Sequence, residues 1–333
     1  MRFIVLGAGS IGRRHLDNAR ALGHHVVAVF EPDPDRRTEA AAMADAGAVI
    51  TGDEAVALAV AADAAIVCSP THRHLEQARA AIARGLHVLV EKPLSHALDG
   101  TADLVAAAAA GRRTVLVGCN LRFLPSLGVI KRVLDEGRIG APLSLRAHCG
   151  YYLPYWRPHA DYRQGYGARQ SMGGGIILDA IHELDYVRWL LGEPREVFCY
   201  AGKVSTLEID TEDAADILLR FEGGVVANVH LDYLRPTYRR GCELIGGDGL
   251  VTWDYASRAV HVYGKHDRWH EVFEEPIDAD RNDMYVEELR HFVECVDRGA
   301  SPLLDAAGGR RVLEIALAAK ASAASGRPVR LDP

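Results

Sequence analysis

The stretch Phe3-Ile4-Val5-Leu6-Gly7-Ala8-Gly9-Ser10-Ile11-Gly12 decides how the chain begins. An apolar run leads straight into G-x-G-x-x-G, and an amphipathic segment, Ile11 to Leu22, follows. Strand, glycine turn and helix in that order are the setting in which the motif holds a dinucleotide. Gly7 permits the tight turn, Gly9 lets the backbone approach a pyrophosphate, and Gly12 lets the helix pack on the sheet. The helix N-terminus, opening at Ser10 and Ile11, then faces the anion. About twenty residues beyond the motif, Glu31 ends the apolar run Val26–Phe30, where a carboxylate accepts hydrogen bonds from the adenosine ribose. That carboxylate repels a 2′-phosphate, so NAD is favoured over NADP. Arg36 and Arg37 stand close by as a solvated face, and would bind such a phosphate only if their loop turned inward.

Outward from the motif, apolar runs alternate with amphipathic stretches as in βαβ units feeding a parallel sheet. Strands are expected at Phe3–Leu6, Val26–Phe30, Ala64–Val67, Val88–Val90 and Val115–Val117. Helices are expected at Ile11–Leu22, Pro34–Ala44, His74–Ala83 and His96–Ala110, several closed by Gly23, Gly85 or Gly111. This defines an α/β, doubly wound nucleotide-binding domain over 1–119.

From 120 the rhythm changes. A helix near Leu124–Glu136 precedes an aromatic, Arg-rich loop from Gly150 to Ser171, and a second helix follows Gly173-Gly174-Gly175. Strand-like runs then succeed one another between Val197 and Phe273, including Ala215–Phe221, Val225–Leu231, Arg240–Ile245 and Ala259–Tyr263, separated by short glycine turns. The expectation for 120–333 is an α+β substrate-binding and oligomerisation domain with one large, mostly antiparallel open sheet. Helices near Met284–Asp297 and Ala306–Ala324 end the chain, the last able to pack back on the first domain.

Composition narrows the functions. The net charge of −7 opposes binding to a phosphate backbone, so nucleic acid is an unfavourable partner. Six cysteines lie far apart without a CxxC pair or a Cys/His cluster, which suits reduced thiols and gives no sign of a metal site. The chain opens directly on a strand, so no signal sequence is expected, and its Ala-rich run around Ala102–Ala110 is too short to span a bilayer. A cytoplasmic protein without a membrane partner is expected.

Three further segments carry a resemblance. They are Ser69-Pro70-Thr71-His72-Arg73-His74 leading to Gly85-Leu86-His87-Val88-Leu89-Val90-Glu91-Lys92-Pro93, then Gly118-Cys119-Asn120-Leu121-Arg122-Phe123, then Gly173-Gly174-Gly175-Ile176-Ile177-Leu178-Asp179-Ala180-Ile181-His182-Glu183-Leu184-Asp185. In this order and spacing the chain resembles, over nearly its whole length, the glucose-fructose oxidoreductase, inositol dehydrogenase and MocA (Gfo/Idh/MocA) family. The resemblance implies an oxidoreductase that moves a hydride between nicotinamide and a secondary alcohol or ketone of a sugar, inositol-like polyol or nucleotide-sugar.

It implies that Lys92, after Glu91, sits beside nicotinamide and substrate hydroxyl, where a partly buried ammonium can hold the reacting oxygen and exchange its proton. Ser69, Pro70 and His74 match the family's nicotinamide-side loop, with helix capping the equal alternative for His74. Asn120 and Arg122 are expected on nicotinamide or substrate. Asp179 and His182, three apart in one helix, share a face, so the imidazole can take or return the hydroxyl proton while the carboxylate orients substrate or tunes the ring. The family's commoner spacing is four, which leaves the division of labour between the two open.

The segment Tyr151-Tyr152-Leu153-Pro154-Tyr155-Trp156-Arg157, with Arg163 and Tyr166, offers rings for stacking on sugars and arginines for a carboxylate or phosphate. Tyr152, Trp156 and Arg163 are the substrate candidates drawn from it, a subunit interface being the competing reading. The resemblance further implies a homodimer or homotetramer. Two other functions stay open: an NAD-dependent glycosidase acting by transient oxidation, and a non-catalytic metabolite sensor.

Overall fold

Phe3, Ile4, Val5 and Leu6 are all fully buried, as a strand covered by helices on both faces requires. The computed structural model describes residues 1–276 and 278–332. Their contacts form two units, Met1–Asn120 with Asn282–Leu313, and Leu121–Arg281 with Glu314–Pro333.

The first unit runs β1 (Arg2–Leu6), α1 (Ser10–Ala21), β2 (His25–Phe30), α2 (Pro34–Met43), β3 (Val49–Thr51), α3 (Glu54–Leu58), β4 (Ala64–Val67), α4 (Thr71–Ala83), β5 (His87–Glu91), α5 (Thr101–Gly111) and β6 (Val115–Gly118). The six strands are parallel in the order β3-β2-β1-β4-β5-β6. The order reverses between β1 and β4, and ligands of open α/β sheets bind at such a crevice, outside the carboxyl ends of the strands. Gly7 follows β1 there, and Ser69-Pro70 follows β4.

The second unit holds α6 (Pro125–Asp135), β7 (Pro142–Gly150), α7 (Leu153–Trp156), α8 (Ile176–Asp179), α9 (His182–Leu191), β8 (Glu196–Gly202), β9 (Ala214–Arg220), β10 (Val226–Asp232), β11 (Arg239–Gly246), β12 (Gly249–Asp254), β13 (Ala259–Gly264) and β14 (His270–Glu274). After α10 (Asp283–Arg298) and α11 (Ala306–Ser325), β15 (Val329–Arg330) joins the same sheet. Its nine strands run β14-β13-β12-β11-β7-β10-β9-β8-β15, antiparallel except where β7 and β10 pair parallel. In β9, Ala215, Ile217 and Leu219 are buried while Asp216, Leu218 and Arg220 are exposed, so one face is packed and the other open. Helix α9 packs on β7 and β10 from the covered side.

Several elements differ from the sequence reading. The domain assigned to 120–333 loses residues 282–313, which cluster with the first unit. The cause is the apolar stripe of α10, whose Leu289 and Phe292 enter the same core as Phe3, Val5, Leu16 and Ile66. The short β3 and α3 carry too few residues to show a period. The helix expected from His96 starts at Thr101, after Gly100 adopts a left-handed φ of 73°, and at its other end Arg112 rather than Gly111 takes the left-handed position, at φ 51°. The central strand β7 was not expected, because Pro142-Leu143-Ser144-Leu145-Arg146-Ala147-His148 reads as no more than a weak alternation. Among the described residues no helix is long and apolar enough to cross a membrane.

Candidate active site

In the first unit the glycine turn is closed by contacts that leave no room for side chains. Gly7 has φ 95°, and a Cβ there would lie 2.7 Å from the Ser69 nitrogen; one on Gly12 would lie 1.9 Å from the Gly7 oxygen. A Cβ on Gly9 would meet nothing within 4 Å. The turn is therefore tight where helix meets sheet and open where a pyrophosphate needs access, which is the fit a dinucleotide demands. Gly9 precedes Ser10 and Ile11 at the start of α1, so their N–H groups belong to the first helical turn, the one without intrahelical partners.

Glu31, 4% exposed, accepts a hydrogen bond from the Ala8 N–H at 2.7 Å and one from the Asp33 N–H at 3.1 Å. It is thus a brace for the turn, at the position directly after β2 where a ribose-binding carboxylate was expected. Arg37 donates to the carbonyls of Glu31 and Pro32 at 2.8 and 2.6 Å. Its guanidinium is spent on backbone oxygens, a use that neither the solvated-face nor the phosphate reading foresaw.

On the β4 side, the Ser69 hydroxyl donates to the Leu6 carbonyl at 3.2 Å. His74 is 2% exposed and lies with one ring nitrogen 2.7 Å from the Ser69 carbonyl and the other 2.8 Å from that of Pro93. Burial pushes its pKa down, against the pull of the two carbonyls. His74 therefore ties the Ser69-Pro70 loop to the Lys92-Pro93 segment instead of capping α4, whose N-cap residue, Pro70, brings no side-chain cap.

Lys92 is half-buried directly after β5, and its peptide to Pro93 is cis. Glu91 is held from the other side, its Oε1 accepting from the His15 Nε2–H at 2.8 Å. Gly118 on the neighbouring strand leaves room for it, since a Cβ there would lie 3.4 Å from the Glu91 Oε2. Among the described residues one group of His, Cys, Asp or Glu brings its donor atoms within 4.8 Å of one another: His15, Glu91 and Glu288. Sequence reasoning named Glu91 alone of these. Asn120, at the end of the first unit, is buried.

In the second unit Asp179 is the hub. Its Oδ1 accepts from the Tyr166 hydroxyl at 2.5 Å and its Oδ2 from the Tyr233 hydroxyl at 2.9 Å. Burial, followed by the Asp179 charge, pushes the Tyr233 phenol far above its ordinary pKa, so it stays a donor. The glycines before Asp179 pack too closely for side chains: a Cβ on Gly174 would lie 2.1 Å from the Tyr166 backbone carbonyl oxygen, and Gly175, at φ 106°, would place one 2.3 Å from Glu212 Oε1. Glu212 in turn accepts from the Ile177 N–H at 3.3 Å and pairs with Lys320 at 2.8 Å.

His182, 9% exposed, opens α9, whereas Asp179 ends α8, with Ala180 at ψ 35° between them. The shared-face argument assumed one continuous helix and is corrected here: a kink, not helical spacing, sets their relation. Arg122 binds Asp185 through two hydrogen bonds of 2.9 and 2.8 Å, both side chains buried, a fixed pair rather than a hand open to substrate.

The aromatic loop divides. Trp156 packs edge-on against Tyr233 at 5.4 Å and donates to the Tyr151 carbonyl at 2.9 Å, so it backs the Asp179 hub. Tyr152 packs against Tyr155 at 5.0 Å, outside the hub's hydrogen bonds. Arg163 is exposed and paired with Asp161 and Glu208, away from the hub's hydrogen bonds. Arg157, over the Tyr166 ring at 5.7 Å, stands closer to it. Tyr233 was missed because Asp232-Tyr233 ends a strand without any motif around it.

Residues 1–119 match the model described as an oxidoreductase family with an NAD-binding Rossmann fold, and residues 129–252 match the GFO/IDH/MocA C-terminal domain. The chain is 30% identical to an uncharacterized oxidoreductase, YrbE, of Bacillus subtilis, over 98% of this chain and 96% of that protein. It is 35% identical to an inositol 2-dehydrogenase of Burkholderia vietnamiensis, over 74% of this chain and 72% of that one. A levoglucosan dehydrogenase solved with NADH and levoglucosan shares the fold, with a TM-score of 0.91 at 21% identity and 100% of both chains covered. The glycine cradle, the buried Glu31 and these matches together make the chain a member of the GFO/IDH/MocA family of oxidoreductases, with NAD as its cofactor.

Proposed function

We propose that the protein oxidises, reversibly, a secondary alcohol of a sugar or inositol-like polyol, with Lys92 and His182 handling the proton and Asp179 orienting the substrate. The observation that carries the reading is the placement of Lys92. It follows β5 at the carboxyl edge of the parallel sheet and is fastened through Glu91 on one side and Pro93 on the other. The polyol class is supported by the inositol 2-dehydrogenase relative and by the Asp179 hub, whose flanking hydroxyls suit a substrate rich in hydroxyls.

NAD, when bound, supplies the acceptor for the hydride. The substrate's carbinol C–H bond gives up its electron pair with the hydrogen, the C=O bond forms, and the hydroxyl proton leaves to a base on the protein. Lys92, half-buried, holds the reacting oxygen, and His182 is of the residue type that exchanges a proton near neutral pH. Asp179, held by the Tyr166 and Tyr233 hydroxyls that donate to it, is placed to accept from a second substrate hydroxyl. Trp156, for its packing on Tyr233, and after it Tyr152 and Asn120 are kept as substrate or nicotinamide neighbours, whereas Arg122 and Arg163, paired with Asp185 and with Asp161 and Glu208, are not.

The test is NADH absorbance from purified protein with NAD or NADP against inositols, hexoses, anhydro-sugars, uronic acids and nucleotide-sugars. The expected result is NADH with at least one polyol, more with NAD than NADP. Lys92→Ala should lower turnover by about 100-fold or more while leaving NAD affinity within about threefold. Unchanged turnover in Lys92→Ala removes the mechanism. Sugar release without net NADH would instead support the glycosidase, and NAD binding without any turnover the sensor.

A further inference from the structure

Lys92 has a role in the proposed mechanism, and three buried ionisable groups, one of them its chain neighbour Glu91, have none. His15 and Glu288 are fully buried and Glu91 is 9% exposed. Their donor atoms lie within 4.8 Å of one another, and they come from three separate elements: α1, which opens at the cofactor turn, β5, which delivers Lys92, and α10. Burying two carboxylates in a small space is costly unless each is hydrogen-bonded and offset by positive charge. One hydrogen bond, from the His15 Nε2–H to Glu91, supplies part of this. The Tyr285 ring closes the group edge-on to His15 at 6.1 Å, with the Arg14 guanidinium 4.4 Å over its face. Lys92 follows Glu91 directly along the chain, so one member of the trio is the residue that delivers the lysine from the end of β5.

We propose that His15 and Glu288 are positioning residues for Lys92: with Glu91 they form a buried charged trio that fixes the end of β5 and sets the electrostatic potential in which the Lys92 ammonium works. The inference rests on the reading of Lys92 given above. It assigns the net negative charge of the trio the role of holding Lys92 protonated, so that the lysine keeps its grip on the substrate oxygen through the working pH range. The charged and titratable groups that face this region are Glu91 on β5, Arg14 and His15 on α1, Tyr285 and Glu288 on α10, Cys68 after β4 and His74 on α4. Because α1 begins at the dinucleotide turn, the trio also links the cofactor cradle to the catalytic lysine through one short run of chain.

The test compares Glu288→Gln, Glu288→Asp, His15→Gln and Lys92→Ala in the full-length enzyme loaded with NAD. Measured are kcat against pH, KM, NAD affinity and the metal content of the wild type. Glu288→Gln keeps the shape and removes a charge, so the kcat limb belonging to Lys92 should move to lower pH by about half a unit or more, with NAD affinity within about threefold. Glu288→Asp should keep the limb in place, and His15→Gln should lower kcat about tenfold with KM little changed. A limb unmoved in Glu288→Gln, with only thermal stability reduced, overturns the inference in favour of a purely structural trio. One equivalent of a divalent metal in the wild type, lost in Glu288→Gln, overturns it too, since the trio would then be a ligand set. If Lys92→Ala retains full turnover, the reading of Lys92 fails first and the trio's role falls with it. If Lys92→Ala is dead while the Glu288→Gln limb stays put, this inference alone fails.

Discussion

Asp179 illustrates how much a single buried carboxylate asks of its neighbours. Both its oxygens accept from phenols, and one of these, Tyr233, is itself fully buried. Removing the Tyr233 hydroxyl leaves a buried charge with one donor fewer, at a cost of about 2 kcal/mol. Tyr233→Phe should therefore lower the midpoint of urea unfolding and raise KM for the polyol, with NAD affinity unaffected. A variant equal to wild type in both would show that Asp179 is adequately held by Tyr166. At this scale the candidates that lie in motifs, Lys92, Asp179, His182 and the glycines, could be named from the sequence, whereas the residues packed around them could not. Tyr233, Glu212, His15 and Glu288 are contributed by distant segments, and only the fold brings them to the motif. Arg163 and Arg122 looked available because charged side chains read alike in sequence whether they are free or spent on a carboxylate, and both are spent here on acids.

Among the elements, the kinked pair α8 and α9 depends on the glycines that precede it. Gly175 combines φ 106° with a Cβ position inside the Glu212 carboxylate, so no side chain fits without moving Glu212 from Lys320 and the Ile177 N–H. Gly175→Ala should cost about 2 kcal/mol or more and lower turnover by displacing Asp179, a pairing read from denaturation and steady-state kinetics. On the sheet, His230 in β10 stands between Asp232, at 3.3 Å, and Asp216, at 2.9 Å. The hydrogen bond to Asp232, then that to Asp216, raises its pKa against the opposing effect of burial. A raised histidine pKa stabilises the fold fully below the unfolded value near 6.5, and the gain fades as pH climbs through the folded value. His230→Gln should thus lower Tm more at pH 6 than at pH 8.5, and equal losses at both would contradict the assignment. Long elements with clear periods were legible in the sequence, whereas β3, α3 and the kink after Asp179 were not. A three-residue strand has no pattern, and a break between two helical turns leaves the apolar spacing nearly intact.

At the scale of the whole molecule, the nine-stranded sheet shows apolar side chains on its open face, among them Leu218 on β9, Val226 on β10 and Ile245 on β11, each at least 39% exposed. We propose that the homodimer or homotetramer implied by the family resemblance would use this face, where a second copy would cover these exposed apolar side chains. Light scattering should give a dimer or larger, and Leu218→Asp combined with Ile245→Asp should reduce it to a monomer; a monomeric wild type would end the proposal. The two-part organisation was legible from the change of rhythm near residue 120, while the return of α10 to the first core was not, since an amphipathic helix does not announce which sheet it will cover. The central claim is that a hydride passes from the carbinol carbon of a polyol to NAD on this protein, and isotope transfer tests it most directly. The polyol found active in the absorbance screen, deuterated at the oxidised carbon, is incubated with protein and NAD, and the recovered NADH is analysed by mass spectrometry and NMR. The account predicts one deuterium at the nicotinamide C4, with turnover slowed by the heavier isotope if hydride transfer limits the rate. Deuterium found in the solvent, or NADH free of label, would contradict it.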